Sequence, residues 1–152
     1  MRISAKTDYA VRAATELAAR EADWPVKAER LAEAQDIPLN FLENILGQLR
    51  QAGIVESRRG PEGGFSLARP AKEITVADVI RAIDGPLAGV SGRRPQDLTY
   101  EGAAESLRDV WVAVRASLRK VLERVTLADL AGGELPAHIG KLTADPDAWL
   151  TH

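Results

Sequence analysis

Between residues 27 and 69 the chain alternates helix formers and helix breakers in an order that few folds accommodate. Lys27-Ala28-Glu29-Arg30-Leu31-Ala32-Glu33-Ala34-Gln35 reads as a short helix with Ala28, Leu31 and Ala32 inward. Asp36-Ile37 interrupts it, and Pro38 suits the first position of a new helix, where its missing N–H needs no partner. That second helix, residues 38–52, buries Leu42, Ile45, Leu46 and Leu49 and stops at Gly53, which accepts a left-handed cap at little cost. Two helices joined by a tight turn, the second polar on its outer face, form a helix-turn-helix pattern. The β-prone runs 54–58 and 65–69 then flank Arg59-Gly60-Pro61-Glu62-Gly63-Gly64, which predicts a hairpin with a long loop. A hairpin directly after a recognition helix is a wing.

The flanking segments extend this unit. Residues 4–20 form a helix capped by Ser4, with Thr7 and Asp8 in its first turn and Tyr9, Ala10, Ala13, Ala14, Leu17 and Ala18 on one face. Thr75 caps a further helix over 75–84, whose apolar residues are Val76, Val79, Ile80 and Ile83. Residues 85–103 lose periodicity and read as a loop. From Ala104 to Val125, Leu107, Val110/Trp111, Val114, Leu118, Val121/Leu122 and Val125 recur in steps of three and four, a narrow stripe on one long helix. At 1.5 Å per residue that helix measures roughly 33 Å, more than a small domain needs to cover its core. A second copy of the chain is the economical partner for it. Leu127, Leu130 and Leu135 suggest a short closing turn, and the tail after Pro136 is expected to be loosely ordered.

The expected fold is mainly α, with four parts. Residues 1–84 make a winged helix-turn-helix DNA-binding domain, 85–103 a loop, 104–131 a long dimerisation helix with its closing turn, and 132–152 a tail.

Several function classes are excluded or weakened. The chain holds no cysteine, which removes disulfides, thiolate nucleophiles, Cys-ligated zinc and all-thiolate iron–sulfur clusters. The two histidines, His138 and His152, both lie near the C-terminus, so no metal site is expected. No Ser/His/Asp set or nucleotide fingerprint appears, and the glycine-rich loop lacks the Gly-Lys-Ser/Thr of a phosphate loop. An enzyme is not expected. No apolar run approaches the ~20 residues of a membrane span, and Met1–Lys6 lacks the apolar stretch of a signal peptide. These readings place the expected protein in the cytoplasm. The net charge of −2 supplies no general basic field, so either DNA binding rests on a few well-placed cations or the chain is a protein-interaction module of the same fold that has lost DNA binding.

The candidate DNA-binding residues follow from side-chain chemistry. Asn40, Asn44 and Gln48 offer amides that pair bidentately with adenine, and Glu43 can accept from a cytosine amino group. Phe41 either packs on a thymine methyl or staples the helix turn. Pro38 and Leu39 open the same helix. Lys27 and Arg50 suit phosphates, which position a protein without reading sequence. Arg58, Arg59, Gly60 and Pro61 form the wing tip, where an arginine on a narrow, rigid loop can enter a minor groove of enhanced negative potential. Leu107, Trp111, Val114, Leu118, Val121, Leu122 and Val125 are the candidate dimerisation residues.

The run Asn40-Phe41-Leu42-Glu43-Asn44-Ile45-Leu46-Gly47-Gln48-Leu49-Arg50-Gln51-Ala52-Gly53-Ile54-Val55, continuing into Arg58-Arg59-Gly60-Pro61-Glu62-Gly63-Gly64-Phe65, resembles the Rrf-type (IscR/NsrR/CymR-like) family of bacterial winged helix-turn-helix transcription regulators. The resemblance also takes in Arg2–Val11, the helix from Ile74 to Ile83, and the long helix after residue 103. It implies a homodimer with crossed long helices, binding double-stranded operator DNA as a repressor. Many members carry three cysteines in the loop corresponding to 85–103 and hold an iron–sulfur cluster there; this loop has none, so a cysteine-less member without cofactor is expected. In some relatives an acidic residue of the first helix adds a cluster ligand. Asp8 stands at the matching place and, without thiolates, reads as helix-start electrostatics. The signal is then expected to be a small-molecule effector or, as in some cysteine-poor relatives, a metabolic-enzyme partner.

Overall fold

The computed structural model describes residues 1–152. Its centre is helix α1 (Ala5–Ala19), which packs against four other helices. Ala10, Ala13, Ala14 and Leu17 are fully enclosed, and the small side chains let neighbouring backbones approach closely. Ser4 caps α1 by accepting from the Thr7 N–H at 3.1 Å. The buried Thr7 hydroxyl in turn donates to Asp84 at the far end of helix α4 (Val76–Asp84). A polar cap thereby ties two helices distant in sequence.

Helices α2 (Ala28–Gln35) and α3 (Leu39–Gln51) follow. Asp36 between them adopts a left-handed conformation (φ 51°), and Ile37 plugs the turn at 4% exposure. Pro38 is the N-cap of α3 rather than its first helical residue, because its ψ of 127° is still extended. Leu42, Ile45, Leu46 and Leu49 are buried as expected and join Leu17, Leu31 and Ile54 in one core. Strands β1 (Val55–Arg58) and β2 (Gly64–Leu67) pair antiparallel, Val55 opposite Leu67 and Arg58 opposite Gly64. Val26 also bridges to β2: its N–H donates to the Phe65 carbonyl at 2.8 Å, and the Phe65 N–H donates back to Val26 at 2.7 Å.

Two matching caps close the core. Thr75 and Asp78 form a capping box at the start of α4, and Thr126 and Asp129 form another at the start of helix α6 (Leu127–Gly132). The extended residues before these helices pair with each other. The Val76 N–H donates to Val125, and the Leu127 N–H donates to Ile74, both at 2.9 Å. Leu127 is completely buried, and α6 lies against α1.

This arrangement corrects three expectations. The long helix, α5, runs Leu107–Leu122, 16 residues and about 24 Å, because Gly102 turns left-handed (φ 64°) and a short 3-10 turn occupies Gly102–Ala104. Val125 does not continue the open stripe: it is 6% exposed, enclosed within its own chain by the pairing with Val76. Residues 125–132 accordingly belong with the winged unit and not with a separate dimerisation segment. The tail after Pro136 forms helix α7 (Ala137–Thr143) and a 3-10 turn, Pro146–Trp149, whose indole N–H donates to the Thr143 carbonyl at 2.7 Å. The 85–103 segment has little regular structure but is pinned by the burial of Leu87, Pro95 and Leu98. No helix is long and apolar enough to cross a membrane.

An ionic contact links α4 and the end of α5. Glu123, just past α5, accepts from Arg119 at 2.9 Å and also pairs with Arg81 of α4. The hydrogen bond from Arg119 first, then that from Arg81, holds the Glu123 carboxyl at about 2, below its ordinary 4.5. A carboxyl depressed in the folded state stabilises fully above its unfolded value and loses that contribution as pH falls towards the folded one. Glu123→Gln should therefore melt below the parent protein above pH 4.5, with the gap shrinking between pH 4.5 and about 2. Paired thermal melts across this range check it, and a pH-independent gap would contradict the pairing.

Candidate nucleic-acid interface

The outer face of α3 is polar because its inner face is fully spent on the core. Asn40, Phe41, Glu43, Asn44 and Arg50 are exposed, and Pro38 and Leu39 border them. Phe41 is 58% exposed, so it does not staple the helix turn by burial. Gln48 differs from the other candidates: it is half-buried, and its amide oxygen is enclosed without a hydrogen-bond partner. Asn40, Asn44 and Gly47 follow one line along the helix at spacings of four and three. A Cβ at Gly47 would meet nothing within 4 Å, so no packing within the chain requires glycine there. Sequence reasoning passed over Gly47, although a glycine inside a helix costs about 1 kcal/mol relative to alanine and so invites a reason.

The wing stands beside this face. Arg58, Arg59, Gly60 and Pro61 are all exposed at its end. Its tight geometry needs glycine: a Cβ on Gly63 would lie 2.1 Å from the Arg58 carbonyl oxygen, and one on Gly64 would lie 2.6 Å from the Val26 carbonyl. Gly60 sits at φ 102°, in the region that favours glycine. The Gly63 N–H also closes the loop by donating to the Gly60 carbonyl at 2.9 Å.

Between wing and helices lies a notch of about 310 Å³. Lys27 and Glu29 come to it from the start of α2, Glu43 from α3, and Ser57, Arg58 and Gly60 from the wing. The fold thus brings together Lys27, Glu43, Arg58 and Gly60, which are separated in sequence. Arg59 and Pro61 lie outside the notch, at the loop tip. Arg50 has a second task unforeseen in the sequence: its Nη1 donates to Ser57 Oγ at 3.1 Å, bracing the end of α3 against β1. Glu29 and Ser57 were also missed, and nothing in their local patterns marks them.

An open polar helix face thus stands beside a glycine-built arginine loop. Comparison with known proteins decides the family. The family model described as "Iron-dependent Transcriptional regulator", Rrf2, matches residues 3–133. This chain is an Rrf2-family protein. It is 54% identical over 145 residues to a candidate HTH-type transcriptional regulator of Mycobacterium tuberculosis, covering 95% of this chain and 90% of the relative. It is 32% identical to the regulator CymR of Bacillus subtilis, covering 91% and 98% of the two chains. The solved structure of the B. subtilis CymR, the global cysteine regulator, superposes with a TM-score of 0.73 at 30% identity, over 87% of this chain and 97% of that one. The T. potens IscR structure superposes at 0.69 and 30% identity, over 100% and 93%. As a member of this family the chain is a DNA-binding transcription regulator with a winged-helix fold.

The family description invokes iron, and the residues of this chain do not fit a thiolate-held cluster. There is no cysteine, and no three His, Asp or Glu side chains converge as ligands. Asp8 is taken up by an ion pair with Arg12 at 3.1 Å, one turn along α1.

Gly63→Ala should displace the wing tip, because the clash is with backbone that has no rotamer to yield. Operator affinity is expected to fall while the far-ultraviolet circular dichroism of the helical core stays unchanged. Affinity equal to the parent protein would show that the wing tip takes no part in binding.

Proposed function

We propose that the protein is a homodimeric repressor that occludes promoters by holding operator DNA with α3 in the major groove and the wing in the flanking minor groove. The observation that carries this reading is the shared notch. It sets the exposed face of α3 and the arginine wing side by side on one surface of the chain. Asn40, Phe41, Glu43 and Asn44 read base edges, Arg59 enters the minor groove, and Lys27 and Arg58 hold phosphates between them. With net charge −2, these few cations and not a bulk field supply the attraction. The protein acts in the cytoplasm, where operator DNA lies, and works by binding rather than catalysis.

The dimer reading rests on α5. No residue of this helix is buried, although Leu107, Trp111, Val114, Leu118, Val121 and Leu122 line it and Val110 is 52% exposed. A second copy covering that stripe removes apolar surface at roughly 25 cal/mol per Å² and places two recognition helices one or more duplex turns apart. The signal is a small molecule or a metabolic-enzyme partner.

Arg59→Ala should weaken operator binding by about 1–3 kcal/mol, measured by fluorescence anisotropy on a fragment recovered by genomic footprinting. Unchanged affinity would remove the wing from the interface. Leu118→Asp should convert the dimer to a monomer in sedimentation velocity and lower operator affinity with it. A variant that sediments as the parent protein would reject α5 as the seam.

A further inference from the structure

Away from the DNA-facing surface, four arginines converge on one cleft of about 450 Å³. Arg81 reaches it from the last turn of α4, Arg94 from the 85–103 segment, and Arg115 and Arg119 from successive turns of α5. Gly85 and Pro86 complete the lining. Three elements that are distant in sequence therefore aim like charges at one space.

The local counter-charge does not match this concentration of guanidinium groups. Glu123 is shared by Arg81 and Arg119, and Asp78 stands off Arg81 at 3.9 Å. Arg115 Nη1 donates to the neutral amide oxygen of Gln96 at 2.7 Å, while its Nε is enclosed and has no acceptor. None of the ion pairs in the cleft wall includes Arg94, which is exposed. Gathering like charges costs energy that an incoming anion recovers. A guanidinium is also the side chain whose planar fork matches carboxylate and phosphate oxygens. Four guanidinium groups among six lining residues make charge the dominant feature of the cleft.

We propose that this cleft is a binding site for a small polyanion, a compact phosphate-rich or polycarboxylate metabolite, held chiefly by Arg94 and Arg115. Its position gives the binding a consequence. The cleft joins α4, part of the winged unit, to α5, which projects from it, so an anion clamped there fixes the angle between them. Resting on the repressor reading above, that makes the site a route by which a metabolite sets the spacing of two recognition helices. The binding itself does not depend on that reading.

The test is isothermal titration of the full-length protein with inorganic pyrophosphate and, separately, citrate, alongside operator binding by each protein variant. Saturable binding of at least one probe is expected, with a raised melting temperature. Arg94→Gln and Arg115→Gln should each weaken it by about tenfold or more while leaving helix content and ligand-free operator affinity as in the parent protein. The preferred probe tells a phosphate-type from a carboxylate-type ligand. Absence of binding by both probes at millimolar concentration overturns the proposal, as does equal binding by the variants. Loss of ligand-free operator affinity in both variants also overturns it, because the cleft would then be a seat for DNA phosphates. A parent protein that binds pyrophosphate but no duplex would refute the repressor reading and leave this site standing.

Discussion

The architecture turns on a short reciprocal clasp centred on two extended residues, Thr75 and Thr126. Two backbone hydrogen bonds of 2.9 Å flank the pair, and each residue opens a Thr-x-x-Asp capping box. Because the clasp closes on both sides of α5, it returns the chain to the core after the helix has projected outwards. Leu127 then seats against α1, and α5 remains outside with its apolar stripe open. That return is what places α6 in the core against α1.

The proposed DNA-facing surface is built by similarly few contacts. Val26 pairs with Phe65, Arg50 braces Ser57, and Gly63 and Gly64 allow main chains to approach where any Cβ would collide. The wing is thus held at its base by strand pairing and at its flank by α3. Such support preorganises the arginine tip and keeps the ordering cost of binding low. A chain of net charge −2 relies on this placement, since it has no excess of cations to spare for loosely held contacts.

Charge is also concentrated at the junction of α4 and α5. Arg81, Glu123 and Arg119 form a partly exposed ionic link between the winged unit and the projecting helix, and Arg94 and Arg115 stand beside it with little local compensation. A salt link at a joint between two units responds to whatever ion arrives. That sets the α4–α5 junction apart from the apolar core around α1, where close packing admits no such adjustment.

The helix-turn-helix, the wing and the apolar stripe of α5 were legible in the residues themselves. They rest on local rules: Leu42, Ile45, Leu46 and Leu49 at helical spacing, Gly53 as a stop, and a glycine-rich hexapeptide between β-prone runs. Other features depended on partners far along the chain. Val125 is indistinguishable from a stripe residue until its carbonyl meets Val76, and the second Thr-x-x-Asp cap gains meaning only from its pairing with the first. Arg94 and Arg115 look like solvated surface charge until the fold sets them around one cleft. Periodicity records which face of an element is apolar. It carries no information about which distant element will cover that face, because the free energy that decides the matter is shared between residues the local pattern never compares.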